Sequence, residues 1–214
     1  HNTAIKVVNS KLAYVSDDYA SYNLTGGIAT SAVSALGHND NPLLDTGRKP
    51  TGYIAAGQSF FTKAEDGSGY VEFDNSMRYG GTNNSQFFKP GKTTKSASIE
   101  KHRLWLNLTN TSGAFKQTLI GYIDGATNSY DTSFDGITYD GNSYIDFYSV
   151  NETSRLTIQG RALPFSDSDV VPLGYRSKIA GDFTIAIDQA DGKLATQRIY
   201  LEDKQTGTIN ELTA

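Results

Sequence analysis

The densest group of side chains that could hold a metal ion lies between residues 124 and 141. Four aspartates recur there among glycine and asparagine: Asp124, Asp131, Asp135 and Asp140. Calcium prefers hard oxygen ligands on flexible loops, and glycine lets the backbone turn its carbonyl oxygens towards the ion. The cluster therefore predicts a calcium site. The alternative is that its Asp-Gly steps only form tight turns, since the same pair recurs at Asp66-Gly67 and Asp191-Gly192, where no acidic cluster exists.

Three aromatic side chains have the placement expected of a sugar-binding surface. Trp105 lies opposite a leucine face in its segment, while Tyr144 and Tyr148 flank Asp146 on the polar face of theirs. A planar ring offers an apolar surface to the C–H face of a pyranose. These three residues are therefore the candidate carbohydrate-binding set. The alternative is burial beneath a second layer, or ordinary aromatic pairing across strands, which strand propensities favour.

Catalytic chemistry has little support in the residue types. The chain has three histidines, His1, His38 and His102, and no cysteine. No histidine pair has the spacing that places two ligands on one helix turn or one strand face, which disfavours a zinc site. Glycoside hydrolysis needs two carboxylates at a fixed separation, but the glutamates of the strand and turn segments are better interpreted as solvent-facing: Glu72, Glu152 and Glu202. We expect no enzyme activity.

The composition favours strands joined by tight turns. The 214 residues include 21 Gly, 13 Tyr and 10 Phe beside one Met and one Trp; aromatic residues favour strands, and glycine favours turns. A formal charge of −4 gives no broad attraction to phosphates, so nucleic-acid binding is disfavoured. No run approaches the roughly 18 apolar residues of a membrane helix, and no membrane-spanning segment is predicted.

Alternation with a period of two predicts the strands. It is clearest from Arg103 to Thr109, where every second residue is leucine, and from Phe183 to Asp188. Such a period predicts antiparallel strands with one buried face. The predicted strands are Tyr53–Thr62, Tyr70–Asp74, Arg103–Thr109, Phe115–Ile123, Tyr144–Ser149, Leu156–Gly160, Phe183–Asp188, Arg198–Glu202 and Thr208–Leu212.

A polar, cationic stretch at residues 89–98 divides the chain, because it contains no large apolar side chain that a core could bury. We therefore predict an all-β protein with two antiparallel β-sandwich or jelly-roll units. The first is a β-rich N-terminal unit at 1–90, which has too few strong strands to be complete. The second is a β-sandwich unit at 103–214, whose strand and turn signals suit a complete sandwich.

Short phrases follow one another along nearly the whole chain. They are Asp18-Tyr-Ala-Ser-Tyr-Asn-Leu-Thr-Gly-Gly27, Gly52-Tyr-Ile-Ala-Ala-Gly-Gln-Ser-Phe-Phe61, Phe73-Asp-Asn-Ser-Met-Arg78, Arg103-Leu-Trp-Leu-Asn-Leu-Thr109, Ile158-Gln-Gly-Arg161, Val171-Pro-Leu-Gly174 and Ile199-Tyr-Leu-Glu-Asp-Lys204. In this order they resemble the conserved region just upstream of the C-terminal sorting domain in many large proteins exported by the type IX secretion system of Bacteroidota, especially flavobacteria.

The resemblance implies a piece of a longer secreted or cell-surface protein, such as an adhesin or a polysaccharide-degrading exoenzyme. The implied role is that of a non-catalytic accessory module, a structural spacer or an adhesion element. Its implied partners are neighbouring domains of the longer chain and type IX secretion components. A carbohydrate-binding module that recognises glycans is the alternative. The Trp-Asn-Leu-x-Gly-Asn-Pro-Tyr segment that usually begins the region and the sorting domain are absent from this sequence, so we expect the protein to continue on both sides.

Overall fold

The structure, a computed structural model, consists mostly of strands. It describes residues 5–8, 11–14, 20–29, 49–54, 59–62, 69–74, 77, 99–111, 114–138 and 145–212. These residues contain eleven strands and a 3₁₀ turn at Gly192–Ala195, and no α-helix occurs among them. The prediction of an all-β protein is confirmed. Nowhere in the described ranges is there a helix of the length and hydrophobicity needed to cross a membrane.

The strands agree well with the predicted segments in the second half of the chain. Their bounds are β1 Ile5–Val8, β2 Lys11–Tyr14, β3 Lys101–Asn110, β4 Phe115–Ile123, β5 Gly136–Ile137, β6 Ile145–Asn151, β7 Ser154–Arg161, β8 Leu173–Ser177, β9 Phe183–Ala190, β10 Ile199–Asp203 and β11 Thr208–Leu212. Strands β4 and β11 coincide with predicted segments, and β3, β6, β7, β9 and β10 overlap them. Strands β1, β2, β5 and β8 were not predicted.

The central sheet is mixed. Its strand order is β8-β6-β7-β4-β3-β9, and β5 also pairs with β7. Neighbouring strands are antiparallel except β4 and β7, which run parallel with Leu119 opposite Ile158. The hairpins β1-β2 and β10-β11 each form a separate two-stranded sheet.

The central sheet is strongly curled. Strands β4 and β6 both flank β7, and strands two places apart in a flat sheet are separated by about 9.5 Å. Residues of β4 and β6 nevertheless approach to within 8 Å between Cα atoms. The curl surrounds the main core, whose buried members are Leu104, Leu106, Leu108, Ile120, Tyr122, Ile145, Phe147 and Leu194. Half-buried residues of β8, β9, β10 and β11 pack against it, so the β10-β11 hairpin helps to cover the core.

Alternate side chains of β3 are buried on opposite faces of the sheet. Leu106 and Leu108 are buried in the main core, whereas Trp105 belongs to a second cluster with Ile28, Leu119 and Ile158. Burial of each large apolar side chain contributes roughly 1.5–3 kcal/mol to stability. The predicted division of the β3 side chains between two faces is confirmed.

The second cluster joins an early segment of the chain to the sheet. Ile28 belongs to the segment 20–29, which lies against the face of the sheet that carries Trp105. This contact crosses the predicted division between the units 1–90 and 103–214. Residues 20–29 therefore complete the core of the predicted second unit, because they cover a sheet face that the later strands leave apolar.

Two predicted strands are wrong where the structure describes them. Tyr70–Asp74 forms no strand, and neither do residues 53–54 and 59–62 of the predicted strand Tyr53–Thr62. Tyr70, Val71 and Phe73 are largely exposed. An alternating segment becomes a strand only when a neighbour supplies hydrogen bonds to its backbone, and no described strand pairs with these segments.

Candidate functional site

Hydrogen bonds fix the segment 20–29 to the sheet. The indole Nε1 of Trp105 donates to the carbonyl oxygen of Gly27 at 2.8 Å, and the backbone N–H of Ala29 donates to Oε1 of Gln117 at 2.9 Å. Nη1 of Arg103 donates to the carbonyl oxygen of Thr25 at 3.2 Å. Because an unpaired buried backbone group is costly, these side chains are needed to keep the segment in place.

Trp105, the first candidate for sugar stacking, is buried. Only 3% of the residue is exposed. Nζ of Lys49 lies 4.5 Å from the centroid of the indole ring, and Cζ of Arg103 lies 4.8 Å from it, at distances typical of cation–π contacts. An indole covered in this way offers no free face to a pyranose. The structure supports the alternative interpretation of Trp105, burial beneath a second layer, and it is not an exposed platform.

Tyr148 is half-buried on β6 and lies across β8. A Cβ atom on Gly174 would be only 2.5 Å from Cε2 of Tyr148, so the absence of a side chain at Gly174 makes room for the ring. Cζ of Arg155 lies 5.0 Å from the ring centroid. Tyr144 lies outside the described residues. Strands β7 and β4 lie between Tyr148 and Trp105 in the sheet, so these two candidates are not neighbours.

Asp135, a predicted calcium ligand, is an internal brace. It is 4% exposed; its Oδ1 accepts from the backbone N–H of Gly160 at 2.9 Å and its Oδ2 from that of Asp131 at 2.8 Å. Burial raises the pKa of Asp135, and these two backbone hydrogen bonds lower it by a smaller amount. The carboxylate therefore ties the loop 131–135 to β7.

The remaining predicted calcium ligands are in different surroundings. Asp131 Oδ1 accepts from the backbone N–H of Ser133 at 3.0 Å, as in a tight turn, and Asp124 is exposed at the end of β4. Asp140 lies outside the described residues. In the part of the chain that the structure describes, no three acidic or histidine side chains are close enough to hold a metal ion together. The alternative interpretation of Asp-Gly tight turns agrees with the geometry at Asp124-Gly125, which lies in a turn after β4, whereas Asp135-Gly136 leads into β5.

A pocket that the sequence did not reveal lies beside the start of β3. Its volume is about 430 Å³. Its apolar lining residues are the consecutive Leu163, Pro164 and Phe165. Its polar lining residues are Glu100, Asp167, Lys193 and Gln197. Four of the seven lining residues are polar, so the cavity is more polar than the mostly apolar clefts that bind drug-sized ligands, and its groups are suited to a ligand that forms several hydrogen bonds.

His102 positions the carboxylate at the edge of this pocket. The histidine is 5% exposed, and its Nδ1 accepts from the backbone N–H of Lys193 at 3.1 Å. In the neutral ring the proton must therefore be on Nε2, which donates to Oε1 of Glu100 at 2.8 Å. Its ring also contacts the Phe165 ring edge-on, with centroids 5.7 Å apart. The buried imidazole thus contacts both polar and apolar lining residues of the pocket.

A second brace holds the loop 162–170, which contains the apolar lining residues. The hydroxyl of Tyr122 donates to Oδ2 of Asp169 at 2.6 Å, and Arg161 donates to both oxygens of the same carboxylate at 3.1 and 3.2 Å. Burial, followed by the interaction with Asp169, raises the pKa of Tyr122. The Tyr122 and Phe165 rings are also in contact, with centroids 4.7 Å apart. The loop 162–170 is therefore fixed at both its polar and its apolar residues.

Local patterns could not have found this pocket. Glu100, Phe165 and Lys193 belong to three chain segments that lie far apart in the sequence, and none of them is part of a motif. The one available signal was His102, an imidazole at an even position of β3, on the same face as the buried leucines. A polar ring on a core face needs partners for both nitrogens, and those partners belong to the pocket.

Residues 2–214 match the family described as "Domain of unknown function (DUF8693)". No curated protein matches the chain, and neither does any solved structure.

Proposed function

We propose that this chain, which belongs to the DUF8693 family of domains of unknown function, is a non-catalytic accessory module of a secreted or cell-surface protein exported by type IX secretion. Its role is that of a structural spacer that supports neighbouring domains, and its exposed surfaces are available for adhesion. The ordered phrases that resemble the exported Bacteroidota proteins support the location. The way in which the chain uses its polar side chains supports the role.

The observation that carries the structural role is that buried polar side chains hold the fold together. Gln117 accepts from Ala29 and also donates to Oδ1 of Asn107 at 2.7 Å. Oδ1 of Asp146 accepts from the hydroxyl of Thr138 at 2.9 Å, and Asp135 joins the loop 131–135 to β7. A catalytic group needs an atom that faces a substrate, whereas these atoms face the backbone or other side chains of the same chain.

We also infer that the curled sheet is a β-sandwich or jelly-roll unit, and that residues outside it contribute to a second unit. The close approach of β4 and β6, which are not hydrogen-bonded to each other, supports two layers around the main core. Two layers whose inner faces pack against each other form a buried core of this kind, which favours a stable module.

The proposal is tested by deleting the codons for residues 1–214 in the bacterium that encodes them, in frame and within the full-length protein. We expect the neighbouring domains to keep their own activity after purification, while the amount of protein at the cell surface or in the medium falls. Surface labelling of intact cells and immunoblots of culture supernatant measure that amount.

A matched pair of point variants separates folding from surface chemistry. Trp105→Ala removes a buried anchor and should lower the exported amount, whereas Ile209→Thr changes an exposed residue of β11 and should not. Detection of the wild-type protein only in the cytoplasmic fraction would contradict the location. An unchanged surface amount in the deletion strain would contradict the supporting role.

A further inference from the structure

We propose that the pocket beside the start of β3 binds a neutral sugar residue of a glycan. The sequence suggested that sugars bind at Trp105. We place the sugar-binding site in this pocket instead. The inference does not depend on the spacer role, since a module can support its neighbours with or without a ligand in this pocket.

The apolar lining residues of the pocket can contact the C–H groups of a sugar. Leu163, Pro164 and Phe165 are consecutive and all line the cavity. His102 and Tyr122 pack against the Phe165 ring, and the Tyr122 hydroxyl is bonded to Asp169. These residues are therefore held in place before any ligand binds, which lowers the entropic cost of binding.

The polar lining residues supply both hydrogen-bond acceptors and donors, as sugar hydroxyls require. Glu100 and Asp167 supply carboxylate oxygens, Lys193 supplies an ammonium group, and Gln197 supplies an amide that both donates and accepts. These side chains carry a formal charge of about −1 in total, which disfavours anionic ligands such as phosphates. The mixture of groups is suited to a neutral ligand with many hydroxyls.

Glu100 is held in position although its side chain is 57% exposed. The buried His102 donates to it, and the backbone N–H of Lys193 fixes the tautomer that permits this donation. Nζ of Lys193 also lies 3.9 Å from Oε1 of Glu100. A carboxylate oriented by a buried imidazole loses less rotamer freedom when it accepts a hydrogen bond from a ligand. The volume of about 430 Å³ is within the range of small-molecule sites.

The test is a titration of the purified, isotope-labelled chain, followed by backbone amide NMR. The probes are glucose, galactose, mannose, xylose and N-acetylglucosamine with their common disaccharides, each added up to its solubility limit. We expect saturable shifts for at least one sugar, concentrated in residues 99–102, 163–167 and 193–197. Calcium chloride is titrated separately, because two carboxylates near one cavity could instead attract a cation.

Variants that preserve shape then locate the site. Asp167→Asn and Glu100→Gln each remove a charged acceptor and should weaken binding about tenfold or more, as expected for a hydrogen bond to a charged group. Glu100→Gln keeps an oxygen that can still accept from His102. The control is Asp182→Asn, the same change at an exposed loop position away from the pocket lining, which should bind as the wild type does. The melting temperature of each variant shows whether it is folded.

The proposal is overturned by any of three results. The first is that no sugar of the panel gives saturable shifts. The second is that Asp167→Asn and Glu100→Gln, both folded, bind as tightly as the control. The third is that calcium alone perturbs the pocket residues and sugars do not. None of these results would bear on the spacer role, which is measured by export and surface display.

Discussion

The indole N–H of Trp105 reaches across 78 positions of sequence to the carbonyl oxygen of Gly27, at 2.8 Å. This bond links β3 to the segment 20–29, which covers the second apolar cluster. A tryptophan with its N–H bonded and its ring covered contributes both apolar burial and a satisfied polar group. The Trp105–Gly27 pair is therefore one of the contacts that attach the segment 20–29 to the sheet.

Replacement of Trp105 by phenylalanine should destabilise the protein by about 1–3 kcal/mol, because the carbonyl oxygen of Gly27 loses its donor while most of the ring packing remains. Replacement by alanine should cost about 3–5 kcal/mol, since it also leaves a cavity. Urea denaturation followed by circular dichroism measures both values. Ile209→Thr, at an exposed position, is the control and should change stability by less than about 0.5 kcal/mol. Equal stability of Trp105→Phe and the wild type would contradict the anchoring role of the hydrogen bond.

Gly160 on β7 is needed because three parts of the chain meet there. A Cβ atom at this position would lie 2.5 Å from Cβ of Phe134 and 3.0 Å from Oγ1 of Thr25. Gly160→Ala should therefore destabilise the fold by about 1–3 kcal/mol through overpacking, as measured by thermal or denaturant unfolding. Gly69→Ala is the matched control, since no atom of the described residues beyond its chain neighbours lies within 4 Å of the Cβ position there. If the two variants unfold alike, the segment 20–29 and the loop 131–135 do not pack on β7 as described.

Calcium should not change the melting temperature. Asp135 already accepts two backbone hydrogen bonds, and no three acidic or histidine groups in the described residues converge on a common point. A ligand that binds only the native state raises its stability by mass action, so differential scanning calorimetry with excess chelator and with excess calcium is the direct measurement. The prediction is contradicted if calcium raises the melting temperature of the wild type but not that of Asp131→Asn. That result would show that the acidic cluster at 124–141 binds calcium.

Local periodicity predicted the strands whose partners are close in sequence. The antiparallel pair β3-β4 and the hairpin β10-β11 follow from alternation and turn residues, because both depend on residues within about twenty positions. The parallel pairing of β4 with β7, the two-residue strand β5 and the curl of the sheet depend on contacts between distant residues, which no local pattern encodes. For the same reason the division of the chain near residues 89–98 did not anticipate the contact between Ile28 and Trp105.

The candidate site was harder to predict than the fold. The residue types of Trp105 and Asp135 predicted ligand-binding roles. In the structure both side chains are buried and form hydrogen bonds within the chain. The prediction placed Trp105 correctly on the face opposite the leucines, but alternation does not reveal whether another segment covers that face. The pocket between Glu100, Phe165 and Lys193 depends on three segments that lie far apart in the sequence, and its one sequence signal is the imidazole of His102 on a core face.

The ionisation of Asp135 should also make the free energy of unfolding depend on pH. Burial raises its pKa in the folded state above the ordinary value of 3.8. The folded protein then binds more protons at this group than the unfolded chain, so the contribution of Asp135 to stability falls as the pH rises from about 3.8 through the raised pKa. Asp135→Asn lacks this titration. The free energy of unfolding of the wild type minus that of the variant should therefore decrease with rising pH in this window.

Asp203 provides a control of opposite sign. Its carboxylate accepts from the backbone N–H of Gln205 at 2.8 Å and from the hydroxyl of Thr206 at 2.9 Å, and these bonds lower its pKa. Its contribution is present above the ordinary value of 3.8 and is lost as the pH falls through the lowered pKa. The difference between the wild type and Asp203→Asn should thus increase with rising pH below about 3.8. Urea unfolding at a series of pH values measures both differences, and slopes of the same sign for the two variants would show that burial does not govern the ionisation of Asp135.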